Sequence, residues 1–66
     1  MKFRYDQAED ALYLRLDESP IAESEEVRPG VVIDFDDLDQ IVGIELRRVS
    51  ERSPGANLKQ IDVQVA

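Results

Sequence analysis

Apolar residues recur at every second position through four separate stretches of this chain, and that period of two constrains its fold more than any other feature. Met1, Phe3 and Tyr5 alternate with Lys2 and Arg4; Leu12, Leu14 and Leu16 share one side of the next stretch, Ala11 to Leu16. Val31, Ile33 and Phe35 repeat the pattern, as do Val42, Ile44 and Leu46 within Ile41 to Val49. Alternation of this kind marks β-strands, because successive side chains of a strand point to opposite faces. The first two stretches flank a polar loop, Asp6 to Asp10, and read as a β-hairpin. A helix over residues 7–14 competes, since Ala, Glu and Leu favour helices, but the leucine alternation favours the strand.

Punctuation falls between these runs. Asp17-Glu18-Ser19-Pro20 is turn chemistry, and Pro29-Gly30 suits a type II turn or a bulge opening the next strand. Ile21 to Val27 is acidic and reads as a short exposed edge strand or an irregular edge. Ser53-Pro54-Gly55 ends the longest run. Beyond it, Ala56 to Gln60 can form one helical turn, and Ile61, Val63 and Val65 alternate as a last short strand. The expected fold is mainly β: one domain over residues 1–66, a small antiparallel sheet or meander with at most one short helix.

With 66 residues, such a domain buries only about 60% of the surface of its unfolded chain, and small scaffolds usually need a staple. The chain has no cysteine and no histidine, which removes disulfides, thiolate metal sites, the commonest zinc ligand and the commonest general base. Self-association is the remaining staple. Several strands are apolar on both faces: Tyr13 lies opposite the leucines, Val32 opposite Ile33, Ile41 opposite Val42. One sheet and one short helix cannot cover both faces, and uncovered apolar surface marks interfaces. A homodimer, sheet on sheet or edge to edge, is expected. The formal charge of −7 disfavours nucleic acid, whose affinity comes from Lys and Arg displacing counterions, and favours a basic protein partner. No leader and no membrane-crossing apolar run is legible, so a cytoplasmic protein is expected.

The stretch Asp34 to Glu45, DFDDLDQIVGIE, resembles a calcium loop at first sight. Asp34, Asp36 and Glu45 match ligand positions, but Leu38 brings no side-chain oxygen where a ligand is needed, and Asp39 stands where the loop needs glycine. The flanks are β-patterned. A turn over Asp36 to Gln40 joining two strands explains more, with no metal or other cofactor. Asp34 and Glu45 lie on the strands this turn makes antiparallel. Paired carboxylates do acid–base chemistry when burial raises one pKa, yet surface charge is the simpler reading, and no catalytic residue is assigned. Arg47, Arg48 and Arg52 form a basic cluster suited to an acidic partner or a phosphate, or to balancing nearby carboxylates. DNA binding through that cluster is a further reading. Tyr5 and Tyr13 can stack a ligand but more often complete a core.

Taken in order, FRYDQAEDALYLRL, EEVRPGVVIDFD and IVGIEL resemble the YuzE-like family of small bacterial proteins of unknown function, over roughly residues 2–50. The matching positions are Tyr5, Asp6, Asp10, Ala11, Tyr13, Pro29, Gly30, Asp34, Gly43, Ile44 and Glu45. Where the family pattern usually has a glycine in the turn, this chain has Leu38-Asp39-Gln40. The resemblance implies a compact, mainly antiparallel fold, no established catalytic residue, and an antitoxin-like role in some members. Tyr5, Asp6, Asp10, Tyr13, Asp34, Glu45, Arg47 and Arg48 are therefore the candidate functional positions of a non-enzymatic interaction module. The alternative is a small ligand-binding protein or enzyme using Asp34, Glu45 and the arginines.

Overall fold

A computed structural model describes all residues, 1–66. Five strands follow in chain order: β1 (Lys2–Asp6), β2 (Ala11–Arg15), β3 (Glu23–Arg28), β4 (Val31–Phe35) and β5 (Ile41–Arg47), then one short helix, α1 (Val49–Arg52). They form a single antiparallel sheet of order β1-β2-β5-β4-β3. The last strand is thus the central one. β3, β4 and β5 run as a meander, and the β1–β2 hairpin docks on the free edge of β5. The link over residues 16–22 carries the chain from β2 to the opposite edge; it is tied by Leu16 N–H to the Val42 carbonyl and Ala22 N–H to the Phe35 carbonyl, each 2.8 Å.

Three tight connections follow from local chemistry. Asp6 closes the first hairpin by accepting the Glu9 N–H at 3.0 Å. Pro29-Gly30 joins β3 to β4, with Gly30 at φ +75° as the third position of a type II turn requires; Val27 is the extra residue of a bulge just before it. The acidic turn is built on Asp36, whose Oδ1 accepts the N–H groups of Leu38 and Gln40, both at 2.9 Å. Asp39 takes the left-handed conformation there, φ +62°, which aspartate tolerates better than most residues. Glu45 lies well inside β5, beyond the reach of that turn.

The register sorts the side chains into two faces. On one, the row Phe3–Leu14–Ile44–Ile33 crosses four strands, and the row Tyr5–Leu12–Leu46–Val31 runs beside it. On the other, Arg4, Tyr13, Glu45, Val32 and Glu26 form one row and Lys2, Arg15, Gly43, Asp34 and Ser24 the next. No second layer covers the apolar rows. Only 7 of 66 residues are buried, and the leucines and isoleucines of the two rows are half-buried while Phe3 is exposed.

The C-terminal third of the chain departs from the sequence expectation. The fifth strand stops at Arg47 instead of running to Val49, because Arg48 adopts φ +53° and a left-handed residue cannot continue a strand. The Val49 N–H then turns to the carbonyl of Asp10 at 3.0 Å, and the Val49 side chain is buried. The helical turn is therefore at 49–52, not 56–60, where only turns occur. Ile61, Val63 and Val65 form no strand and are exposed; an alternating segment acquires strand structure only by pairing, and here it pairs with nothing.

Candidate functional site

The polar face is organised around one carboxylate. Asp34, on β4, is 7% exposed, and each of its oxygens is engaged by a hydroxyl. Tyr13 Oη, from β2, donates to Oδ2 at 2.6 Å. Ser24 Oγ, from β3, donates to Oδ1 at 2.6 Å. The Tyr13 contact passes over β5 at Gly43, where any side chain would obstruct it: a Cβ would stand 2.5 Å from Tyr13 Oη and 2.8 Å from Asp34 Oδ2. The network therefore ties four strands together, and glycine is the residue that leaves room for it. Burial above all, and then donation to the Asp34 carboxylate, raises the Tyr13 phenol above its ordinary pKa of 10.0; the charge on Asp34 penalises a phenolate beside it.

Chemically this is a satisfied structural tie. A buried carboxylate with charge-assisted hydrogen bonds to both oxygens is stabilised and shielded. Asp34 is buried, where surface charge was the simpler expectation from sequence, and Tyr13 spends its hydroxyl on it. Glu45 shares the face but not the network: it opposes Val32, whereas Asp34 opposes Gly43. Its Oε2 accepts from Arg47 Nε at 3.3 Å, and Arg47 also pairs with Glu26 at 3.7 Å. Arg4, Asp6, Glu9, Ala11, Tyr13 and Glu45 surround a depression of about 180 Å³, smaller than the ~300–1,000 Å³ usual for small-molecule sites. No three carboxylates come together with the geometry of a metal site.

The predicted positions divide three ways. Asp6, Tyr13, Asp34, Glu45 and Arg47 share the polar face. Tyr5 lies on the apolar face, opposite Leu12. Asp10 and Arg48 belong to the end of the sheet that carries α1. Asp10, itself left-handed at φ +53°, caps the helix from 40 residues away: Ser50 Oγ donates to Oδ2 at 2.6 Å and the Ser50 N–H to Oδ1 at 3.1 Å. One member escaped sequence reasoning. No local pattern tells Ser24, a serine in an acidic edge strand, that it will face a buried aspartate two strands' width from Tyr13.

Residues 2–50 match the model of a family described as a protein of unknown function, DUF2283. The chain belongs to this family. The matched span covers all five strands and the first two residues of α1, so the Asp34 network and the Asp10 cap both lie inside it. No curated protein and no solved structure matches the chain. No helix is long and apolar enough to cross a membrane.

Proposed function

We propose that this DUF2283 chain is a non-enzymatic protein-interaction module that acts in the cytoplasm as a homodimer and presents its acidic surface to a basic protein partner. The observation that carries this reading is the uncovered apolar face. Rows of four apolar residues cross a single-layer sheet, and neither α1 nor the tail supplies a layer. Five strands about 4.8 Å apart and roughly 17–23 Å long present on the order of 500 Å² to one side. Two copies packed face to face would bury about 1,000 Å², the lower bound for a specific interface, which suits a dimer that forms at micromolar concentration.

Charge supports the second half of the reading. Glu23, Glu25 and Glu26 line the open edge strand β3, and Asp36, Asp37 and Asp39 crowd the neighbouring turn. A net charge of −7 steers a basic partner and speeds its encounter. The resemblance to the YuzE-like family, with its antitoxin-like members, points the same way.

Sedimentation equilibrium from low to high micromolar concentration tests the dimer. Reversible dimerisation is expected, and Ile44→Lys, at the centre of the apolar rows, is expected to abolish it, whereas Glu45→Gln on the opposite face leaves it intact. A compact wild-type monomer throughout that range overturns the reading.

A further inference from the structure

A cavity of about 450 Å³ opens at the end of the sheet that carries α1, lined by Arg28, Pro29, Arg48, Glu51 and Arg52. Its lining is four charged residues and one proline. Three arginines from two chain segments, the β3–β4 hairpin and the β5–α1 corner, line one space. The lining carries a net charge of +2, three arginines less one glutamate. We infer that this cavity is a binding site for a phosphate dianion, free or as the terminal group of a small phosphate ester.

The charge bookkeeping of the protein itself leaves these arginines over. The chain has 15 acidic residues, yet the ion pairs are made by Lys2, Arg4 and Arg47. Arg28, Arg48 and Arg52 pair with no carboxylate, although Glu51 lines the same cavity. Like charges gathered with less counter-charge than they need raise the energy of the fold unless an anion joins them. Arg52 has a structural duty. Its Nε donates to the Arg47 carbonyl at 3.0 Å and its guanidinium also donates to the Pro29 carbonyl, across a glycine, Gly30, whose Cβ would stand 2.7 Å from that group. The two carbonyls fix the fork in place and leave three of its five N–H donors free. Arg28 gives one hydrogen bond, to the adjacent Val27 carbonyl, and Arg48 gives none. Arg48 is also held in a left-handed conformation that arginine rarely adopts.

Long-range repulsion does not close the site. The acidic turn 36–40 and the acidic link 16–22 lie at the other end of the antiparallel sheet, about 17–23 Å away along the strands. That exceeds the Debye length of about 8 Å at physiological ionic strength. Nearer the cavity, Glu51 is part of its lining and the Asp10 carboxylate is hydrogen-bonded to Ser50, so the three arginines outnumber the local carboxylates. Planar forks recognise phosphate oxygens in pairs.

The test is a titration of the intact protein with inorganic phosphate, and in a second arm with glycerol phosphate, followed by ¹H–¹⁵N NMR at constant ionic strength against chloride. Saturable shifts are expected at residues 28–30 and 48–52 with phosphate and not with chloride. In the ester arm binding is expected to strengthen between about pH 5.5 and 7.5, as a phosphate monoester loses its second proton with a pKa near 6. Arg28→Gln combined with Arg48→Gly removes two forks and spares the Arg52 pin, and glycine accepts the left-handed backbone. Loss of even one charge-assisted contact weakens binding by about tenfold, so the double variant should bind at least that much more weakly while keeping a native spectrum. Arg4→Gln, beside the other depression, should bind as wild type. The tighter of the two arms names the source, free phosphate or ester. Absence of saturable shifts in both arms, equal shifts with chloride, or unchanged affinity in the folded double variant overturns the proposal.

Discussion

Replacing Gly43 by alanine adds one methyl group at the crossing point of the Asp34 network. In the centre of a strand an alanine ordinarily stabilises, by about 0.5–1 kcal/mol relative to glycine. Here the new Cβ would sit 2.5 Å from Tyr13 Oη and 2.8 Å from Asp34 Oδ2. β5 is paired on both sides and cannot yield, so the tyrosine must swing away and its hydrogen bond to a buried carboxylate is lost. A hydrogen bond to a charged group contributes about 1.5–3 kcal/mol. The net cost is then about 1–2 kcal/mol, and Tm falls on the order of 5–15 °C for a domain of this size. Tyr13→Phe makes the origin visible. It removes the hydroxyl that the methyl would strike, leaving the ring carbon behind it at 3.1 Å and Asp34 Oδ2 at 2.8 Å, both of which must still give way. In that background Gly43→Ala should cost clearly less than it does in the parent. The coupling, about 1 kcal/mol or more, exceeds the ~0.3–0.5 kcal/mol within which independent substitutions add. Urea unfolding by circular dichroism, at one fixed protein concentration to hold any self-association constant, measures all four corners of the cycle. A Gly43→Ala variant as stable as the parent, or strictly additive costs, would refute the argument that glycine is there to let Tyr13 reach Asp34.

Asp10→Ala should destabilise by about 1–2 kcal/mol, at the upper end for a lost helix cap, because it frees the Ser50 N–H and hydroxyl and puts alanine at φ +53°; Asp10→Asn should recover part of this in the same urea unfolding experiment. The raised phenol of Tyr13 has a defined sign. A group whose folded pKa lies above its unfolded value contributes stability that is complete below the unfolded pKa and disappears as pH rises through the folded one. Melts of the wild type should therefore lose stability from about pH 10 upward, a loss that Tyr13→Phe should lessen, and phenolate absorbance in a Tyr5→Phe background should place the Tyr13 midpoint above 10.0.

Sequence alone determined the strands up to Arg47. Periodicity identified β1, β2, β4 and β5 because each sheet face is chemically consistent along its strand, and a one-residue slip would invert it. Pro29-Gly30 and Asp36 to Gln40 were readable as turns because proline, glycine and aspartate act locally, on φ and on nearby N–H groups. The acidic composition of β3 marked it as an edge. The mainly β, antiparallel character of the fold follows from these alone.

Tertiary structure decided what depends on contacts between distant segments. The placing of β5 at the centre joins β2 to β4 and brings Tyr13, Asp34 and Ser24 together; nothing local to any of the three encodes that meeting. Arg48 turns left-handed and Val49 leaves the strand because Asp10, some 40 residues earlier, supplies the cap. Strand chemistry in Ile61, Val63 and Val65 is real but finds no neighbour, and a strand without a partner is not a strand. Arg28 joins Arg48 and Arg52 only because the β3–β4 hairpin ends where α1 begins. A chain specifies its local geometry residue by residue, but a site assembled across strands exists only once the register has been set.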